Sequence, residues 1–529
     1  MFYKQKPRER RQTNELFNWF NSQLTFPKSQ WALFEPINNI FDFLMAKEIL
    51  TIQLGELSNV IGAHWWNIQS AAAAVSSDKY EAVENEIDHS VFFREGVSDK
   101  AVGNPRLIAV TIKGEIDFPN RKVEFPLTHQ NEHDWILRED TAPCDNELYP
   151  NMDFESNDFC DWRALLNNKL HPKSINNLNG FQHMKPTETF NLFSQGISCM
   201  KKEDDLEYIE NQIRFFIEEC DYFQGFNILL DTDNGYGGVT SQLLQLINQE
   251  YSNKVIYTIP SFPAHSEYNF ARRAECLANI GLVLDSLFEG SSMLSPVSLD
   301  PLWCSTNSRK FRRLEDLKPY SMYHAGAIIA TALDSILLPL QTKNSFFHMT
   351  DFVKKITMEG RKAVGVSCAI PLLDKVSNFD SINSAFLEVV PLTPGVENFR
   401  NCWRQHLVWR GLSNPCEFQS VVDCWSRRQW DHTMTVNSVF STFCSAVKPY
   451  PEKFLGSSGP YETGNSHFRT FGGLHSSETL GHSLRELHSA ISKIEIKSLQ
   501  RFFSTGMEED DFLENRDHIF SYAELYDEN

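Results

Sequence analysis

Apolar and polar residues along the chain form a pattern that is typical of strands followed by helices. Residues 48–54 (EILTIQL) are rich in β-forming residues and predict a strand that Gly55 ends. The segment NVIGAHWWNIQSAAAAV that follows has helical character. Residues 106–112 (RLIAVTI) predict a second buried strand, and residues 118–160 predict a polar loop excursion. The first part of the chain therefore reads as strand, tight turn, helix and strand.

The middle of the chain continues this alternation. Residues 203–220 predict a helix whose inward face carries Leu206, Ile209, Ile213 and Phe216. FNILLD is then predicted as a strand, residues 240–251 as a helix, and KVIYTIP as the next strand. Strands that alternate with helices imply a mostly parallel sheet with right-handed crossovers. The fold class predicted from the pattern is therefore α/β.

The second half begins with a connector around residues 290–310 that bears Ser and Pro. A long apolar helix is predicted over residues 323–340, and the segments AVGVSCAIPLL, AFLEVVPLTP and HLVWRGL are strand-like. The chain ends in helices that become increasingly acidic. We predict four regions: an extension, disordered or a mispredicted start, over 1–44; a first domain over 45–310; a central helix and second α/β domain over 311–475; and C-terminal helices with an acidic tail over 476–529.

Composition narrows the class of protein. The 529 residues carry a net charge of −20, which argues against nucleic acid as the main partner because phosphate binding needs a basic face. The 11 cysteines form no C-x-x-C pair, so a reducing compartment fits best. No apolar run reaches roughly 18 residues, and we predict no transmembrane helix. The basic N-terminus resembles a transit peptide, but Glu9 and Glu15 interrupt it.

The stretch Gly235-Tyr236-Gly237-Gly238 lies between a predicted strand and a predicted helix. Glycines in that place let free backbone N–H groups and the helix dipole hold a phosphate. However, Asp231 and Asp233 in the same loop oppose an anion, and neither G-x-x-x-x-G-K-[ST] nor G-x-G-x-x-G is present. By pattern alone, a tight structural turn and a phosphate loop fit equally well.

Two other motifs carry weaker signals. HQNEH (residues 129–133) fits the zinc-peptidase spelling H-x-x-E-H, but it lies in the polar excursion without helical periodicity, and solvated loop histidines explain it better. We expect no metal site and no catalytic residue. The acidic run from Glu508 to Asp511 is typical of a solvated face, and its alternative role is docking onto a basic partner.

Several segments resemble known proteins in one continuous order. EILTIQLGELSNVIGAHWWNIQ and CDYFQGFNILLDTDNGYGGVTSQLLQLINQEY resemble the nucleotide-binding segments of tubulins. The segments that match most specifically are MAKEILTIQLG, GAHWWN, LHPKSI, EECDYFQGF, AIIATALDSILLP, KPYPEKF and LQRFFSTGMEEDDF. From Met45 almost to the C-terminus the chain resembles Misato, a tubulin-like family concerned with mitochondrial distribution and morphology, distantly related to tubulin and FtsZ. The resemblance implies a tubulin-like first domain with a Rossmann-like parallel sheet.

The resemblance also assigns degenerate nucleotide loops. The positions that correspond to those loops are Gly55, Glu56, Ser58, Asn59, Gly235, Gly237 and Gly238. Where tubulins have a glycine signature, Asp233 and Tyr236 put a carboxylate and a ring into the expected phosphate cradle. The glutamine and cysteine of the first tubulin turn correspond to Glu56 and Leu57.

Other tubulin positions are altered as well. The acidic positions that help to hold magnesium correspond to Thr111 and Lys113, and the acidic catalytic loop aligns loosely with the segment at Asp351. Buried carboxylates that face a triphosphate would cost several kcal/mol without a cation. The resemblance therefore predicts no cofactor, although weak GTP binding through Lys113 stays open.

The function that follows from the resemblance is non-enzymatic regulation of mitochondrial distribution, morphology and organisation. It implies a cytoplasmic protein with peripheral association at the mitochondrial outer membrane. The expected partners are cytoskeletal or mitochondrial-surface proteins, including tubulin or its chaperones. The alternatives are an active, polymerising GTPase and a factor that binds or chaperones tubulin or other cytoskeletal proteins.

Overall fold

The structure is a computed structural model, and it describes residues 47–75, 87–95, 102–113, 154, 162–182, 189–264, 270–300, 318, 320–343, 347–358, 360–370, 379–412, 415–430, 432–452, 454 and 465–527. The predicted extension over 1–44, most of the predicted excursion over 118–160, and the HQNEH motif all lie outside these residues. The described elements belong to one compact unit, Lys47–Asn529. The domain boundaries at residues 310 and 475 stay predictions.

The described residues form strands and helices, which alternate in the first half of the chain. Both are numbered in chain order. The strands are β1 (Ile49–Leu54), β2 (Phe93–Glu95), β3 (Val102–Pro105), β4 (Leu107–Lys113), β5 (Ile175–Gln182), β6 (Gly225–Asp231), β7 (Val255–Phe262), β8 (Met293–Leu294), β9 (Val297–Ser298), β10 (Gly365–Ala369), β11 (Val390–Pro391), β12 (Cys402–Arg410), β13 (Met434–Phe440), β14 (Cys444–Val447), β15 (Asn465–Phe468) and β16 (Thr470–Ser477). The helices are α1 (Glu56–Val75), α2 (Trp162–Leu165), α3 (Phe193–Met200), α4 (Glu203–Glu218), α5 (Tyr236–Glu250), α6 (Phe270–Gly290), α7 (Met322–Leu337), α8 (Met349–Ile356), α9 (Phe379–Phe386), α10 (Pro415–Gln429), α11 (Thr479–Ser492), α12 (Gln500–Ser504) and α13 (Glu509–Glu524).

The first sheet is parallel throughout. Its strand order is β5-β4-β1-β6-β7-β8, with β9 also paired to β7, and every pairing runs parallel. All residues of β1, β6 and β7 are buried, which explains why these strands read as near-continuous apolar runs. The order turns back between β1 and β6, as in doubly wound α/β proteins. The prediction of a parallel α/β sheet is confirmed.

Helices cover both faces of this sheet. Leu50, Ile52 and Leu54 of β1 pack in a cluster with α3, α5 and α6, and the C-terminal helices α11 and α13 join the same cluster. On the other face, Ile49 belongs to a cluster built from α1, α7 and part of the second sheet. The central helix α7 thus lies between α1 and the strands of the second sheet.

The second sheet is mixed. Its order is β11-β10-β16-β12-β13, in which only the β12–β13 pairing is parallel. The segment AFLEVVPLTP, predicted as strand-like, contributes the end of α9 and only a two-residue strand. The reason is that Ile382 and Ala385, three residues apart, pack on the side of α9 that contacts Phe418 and Trp425.

Two helix boundaries also differ from the sequence predictions. Helix α1 begins at Glu56, directly after the turn, and α5 begins at Tyr236, inside the glycine stretch that was predicted as a loop up to residue 240. The first N–H groups of both helices find acceptors outside the helix interior. In α1 the acceptor is the distant side chain of Asp231, and in α5 the acceptors are the preceding residues Asn234 and Gly235.

One described stretch, Met322–Gln341, has the length and apolar composition of a membrane-crossing helix. It comprises α7 and the 3-10 turn that follows, and it is buried inside the fold. A core helix has the same composition, because every face of it contacts protein.

Candidate functional site

The carboxyl ends of β1 and β6 meet at the point where the strand order reverses. In open α/β sheets, ligands bind in the crevice outside this point. β1 ends at Leu54 and turns through Gly55, whose φ is +114°, directly into α1. β6 ends at Asp231, and a Cβ atom on Gly55 would lie 2.4 Å from Cγ of Asp231. Glycine is therefore required at position 55 by its backbone conformation and by the space that Asp231 fills.

The carboxylate of Asp231 occupies the N-terminus of α1. The backbone N–H of Leu57 donates to Oδ2 at 3.0 Å, and the N–H of Ser58 donates to Oδ1 at 2.9 Å. The hydroxyl groups of Ser58 and Ser261 also donate to Oδ1, at 2.6 and 2.9 Å. The first N–H groups of a helix have no partner inside the helix, and here a side chain of the same chain supplies one.

The surroundings of Asp231 set its protonation. Its side chain is 2% exposed, and burial raises the pKa of the carboxyl group to about 7. The nearby carboxylate of Asp233 also raises this pKa, whereas the hydrogen bonds from Ser58 and Ser261 lower it. Asp231 is thus a buried group that changes charge close to neutral pH.

The glycine stretch has no spare backbone donors in its first turn. The N–H groups from Gly235 to Gly238 all find acceptors within the chain. In order, these acceptors are the carbonyl of Phe190 at 3.0 Å, Oδ1 of Asn234 at 3.0 Å, the carbonyl of Asn234 at 3.3 Å and the carbonyl of Gly235 at 3.0 Å. A phosphate cradle needs such groups to point at the ligand, so the arrangement is that of a closed structural turn.

The glycines serve close packing of α3 against α5. A Cβ on Gly238 would lie 2.0 Å from the carbonyl oxygen of Phe193, and one on Gly196 would lie 1.9 Å from the carbonyl oxygen of Gly235. A Cβ on Gly235 would meet the ring of Phe190 at 2.7 Å, and one on Gly237 would come within 3.1 Å of the Val283 side chain. The small residues of this stretch therefore let two helices approach each other at backbone distance.

Asp233 and Tyr236 lie beside this turn in buried positions. The ring of Tyr236 packs edge-on against Phe190 with the ring centroids 5.1 Å apart, inside the core cluster. The carboxylate of Asp233 lies 3.7 Å from the guanidinium of Arg272 on α6. The resemblance puts both side chains at the expected phosphate cradle, and in the structure they contact Phe190 and α6.

The remaining positions of the predicted nucleotide loops are spread over the same edge of the sheet. Glu56 is half-buried in the first turn of α1, and Asn59 is buried and donates from Nδ2 to the carbonyl of Val110 at 3.3 Å. The hydroxyl of Thr111 donates to Oδ1 of Asn177 on β5 at 2.7 Å. Lys113 is the last residue of β4. The assignment of these residues to degenerate nucleotide loops stays a prediction.

Asp351, in the segment that aligns loosely with the acidic catalytic loop of tubulins, lies in the first turn of α8. Among the described residues, no group of three or more His, Cys, Asp or Glu side chains is placed to hold a metal ion.

The structure gives Asp231 and Ser261 a role that the sequence pattern does not predict. The sequence indicates Asp231 only as a charge that opposes phosphate, and it indicates no role for Ser261. Both residues lie at carboxyl ends of neighbouring parallel strands, and this position is the signal that could have brought them together.

Comparison with known proteins matches the chain to two family models. The model described as a tubulin domain matches residues 157–342, and the Misato Segment II tubulin-like domain matches residues 47–138. Protein misato homolog 1 of Mus musculus is 26% identical over 91% of this chain and 98% of its own length. The human homolog is also 26% identical with the same coverage, and Protein misato of Drosophila melanogaster is 24% identical over 91% of this chain and 98% of its own length.

The parallel sheet, the central helix and these matches define a tubulin-like protein. Within that class, the chain is similar to the Misato family over most of its length. The resemblance seen in the sequence is thereby confirmed.

Proposed function

We propose that this chain is a non-enzymatic, tubulin-like protein that regulates mitochondrial distribution, morphology and organisation. Similarity to the Misato family supports the biological process, since mitochondrial distribution and morphology are what the resemblance implies. The proposal includes a cytoplasmic protein that associates peripherally with the mitochondrial outer surface. Its partners in this proposal are cytoskeletal or mitochondrial-surface proteins.

The closed glycine turn is the observation that carries the non-enzymatic part of this proposal. Hydrolysis of GTP relies on backbone donors and cations that stabilise charge on the phosphates. Here the N–H groups from Gly235 to Gly238 already donate within the chain. The buried carboxyl group of Asp231 lies beside them, and in its ionised form it would repel a triphosphate at this place. We therefore expect no turnover of GTP.

Equilibrium dialysis of the purified full chain with GTP and Mg²⁺, together with a phosphate-release assay, tests this part. We expect neither binding at micromolar GTP nor steady release of phosphate above a protein-free sample. A GTP-hydrolysing tubulin preparation serves as the positive control. Micromolar binding with steady turnover would instead support the alternative of an active GTPase.

Depletion of the protein in living cells, followed by imaging of mitochondria, tests the biological part. We expect the mitochondrial network to collapse or redistribute, and expression of the wild-type chain to restore it. An unchanged network in cells that have lost the protein would refute the proposed process. Pull-down with tubulin and with isolated mitochondria then separates the two classes of partner.

A further inference from the structure

Donors from two distant segments converge on one side chain at the switch point of the first sheet. The N–H groups of Leu57 and Ser58 belong to the start of α1, and the hydroxyl of Ser261 belongs to the end of β7. The acceptor, Asp231, ends β6, which lies between β1 and β7 in the sheet. One carboxylate thus connects three adjacent strands and the helix that follows the first of them.

The two N–H donors bind different oxygens of the carboxylate. This is the manner in which helix N-termini hold phosphate and carboxylate ligands, with separate N–H groups directed at separate oxygens and the helix dipole favouring negative charge. A helix usually receives its cap from the residue that precedes it. In α1 that residue is Gly55, which has no side chain, and the cap comes from a residue 174 positions after Leu57.

The close approach at Gly55 is a second, independent sign of the same arrangement. A Cβ at this residue would overlap the side chain of Asp231, with contacts of 2.4 to 2.7 Å to its Cγ, Oδ2 and Cβ atoms. The turn before α1 therefore leaves room for the carboxylate of Asp231 and for no larger residue at position 55.

We propose that the carboxylate of Asp231 is a built-in anion, which fills the ligand position at the switch point and joins β1, β6, β7 and α1 without a nucleotide. This inference rests on the proposed non-enzymatic function, because a ligand position that the chain's own carboxylate fills does not need a nucleotide. Removing the side chain of Asp231 should then leave an empty site that binds a carboxylate or a phosphate.

Chemical rescue of Asp231→Gly in the full chain tests the proposal. At about pH 8, where the wild-type carboxylate is ionised, the substitution is expected to lower Tm by about 5 °C in sodium chloride. Sodium formate at the same ionic strength is expected to restore at least half of that loss, because formate fits the space that the side chain leaves. Inorganic phosphate is the second probe, and rescue by either anion supports a vacated anion site.

Leu230→Ala is the matched control. Leu230 is the neighbouring residue on β6 and is fully buried, but its side chain faces the core and binds no anion. Formate and phosphate are expected to change the Tm of this variant no more than that of the wild-type chain, which corrects for general salt effects. Equal rescue of both variants would overturn the proposal, and so would Asp231→Gly with a wild-type Tm or with a loss that neither anion reverses.

Asp231→Asn keeps the test decisive if the glycine variant does not fold. Its amide has the same shape but can accept only at one oxygen, so one N–H donor of α1 loses its acceptor. We expect a lower Tm that formate does not change, since no space is vacated. A wild-type Tm for this variant would refute the role of Asp231. Turnover of GTP by the wild-type chain would refute the proposed function and not the rescue, so the two fail separately.

Discussion

Asp334 on the central helix α7 forms a buried ion pair with Arg410 on β12 of the second sheet. Their side chains are 2% and 1% exposed. Nε2 of Gln69 on α1 donates to the other oxygen of Asp334 at 2.5 Å, and Nη2 of Arg410 donates to the carbonyl of Phe443 at 2.9 Å. This pair therefore connects the first helix, the central helix and the second sheet at one point.

Removing one partner of this pair is expected to destabilise the chain strongly. Arg410→Met leaves the carboxylate of Asp334 buried without its cation, and the free energy of unfolding should fall by about 3–5 kcal/mol. Urea denaturation followed by tryptophan fluorescence measures the change. Lys448→Ala is the control, since Lys448 pairs with Glu452 at 3.2 Å with both side chains largely exposed, and its loss should cost at most about 1 kcal/mol. Similar losses in the two variants would contradict this prediction.

Gly55→Ala tests the turn that makes room for Asp231. The new Cβ meets Asp231 and the backbone has a φ of +114°, so we expect a loss of about 3 kcal/mol or more in the free energy of unfolding. Gly506 is a matched control, because its φ is +98° but no atom lies within 4 Å of a Cβ placed there. Gly506→Ala should cost only about 1–2 kcal/mol from backbone strain. Equal costs would show that Asp231 does not restrict position 55.

Buried histidines make the folded chain sensitive to acid. Burial lowers the pKa of His64 to about 3, and His406 and His475 are lowered to about 3 for the same reason. Unfolded histidine has a pKa of about 6.5, so below that pH unfolding takes up protons and stability falls as pH falls. His64→Phe removes one of the groups that take up a proton on unfolding. Between about pH 4.5 and 6 it should reduce the slope of unfolding free energy against pH by about 1.4 kcal/mol per pH unit.

Denaturant titrations of this variant and the wild-type chain at a series of pH values measure the two slopes. The rings of Tyr323 and Tyr450 surround His64, with centroid distances of 5.3 and 5.8 Å. Tyr323→Phe alters the same ring cluster without changing a histidine, and it should leave the slope as in the wild-type chain. Parallel curves for His64→Phe and the wild type would show that His64 does not take up the proton.

Truncation tests where the folded region begins. A chain that starts at Met45 keeps Glu48, whose carboxylate accepts the N–H groups of Asp221 and Tyr222 at 2.9 Å each, and keeps all of β1. We expect its Tm to lie within about 2 °C of that of the full chain, because the sequence predicts residues 1–44 to be an extension outside the fold, and such a segment adds little stability. A chain that starts at Gly55 loses a strand that pairs with β4 and β6. Each buried aliphatic side chain lost costs about 2–5 kcal/mol, so this chain should not fold. A large loss of Tm for the Met45 chain would show that the preceding residues stabilise the fold.

The sequence by itself determined the elements whose signal is local. Each of these elements is a run of contiguous residues: the buried strands β1, β6 and β7 and the apolar helix α7. The short segments that resemble the Misato family are also contiguous runs, and their order along the chain is read directly from the sequence. Period and composition are therefore sufficient to find them. The parallel α/β class follows from their alternation.

The tertiary structure decided what the polar and glycine residues of the site do. The carboxylate of Asp231 caps a helix that begins 175 positions earlier in the chain, and Gly196 and Gly238 bring α3 and α5 into backbone contact. The same glycine stretch fits a phosphate loop or a closed turn until the partners of its N–H groups are known. Asn234 and Gly235 supply local acceptors, but the acceptor of the Gly235 N–H is the carbonyl of Phe190, and Gly238 packs against the carbonyl of Phe193. These two contacts join segments that are distant along the chain, because hydrogen bonds and close packing depend on distance in space and not on spacing along the chain.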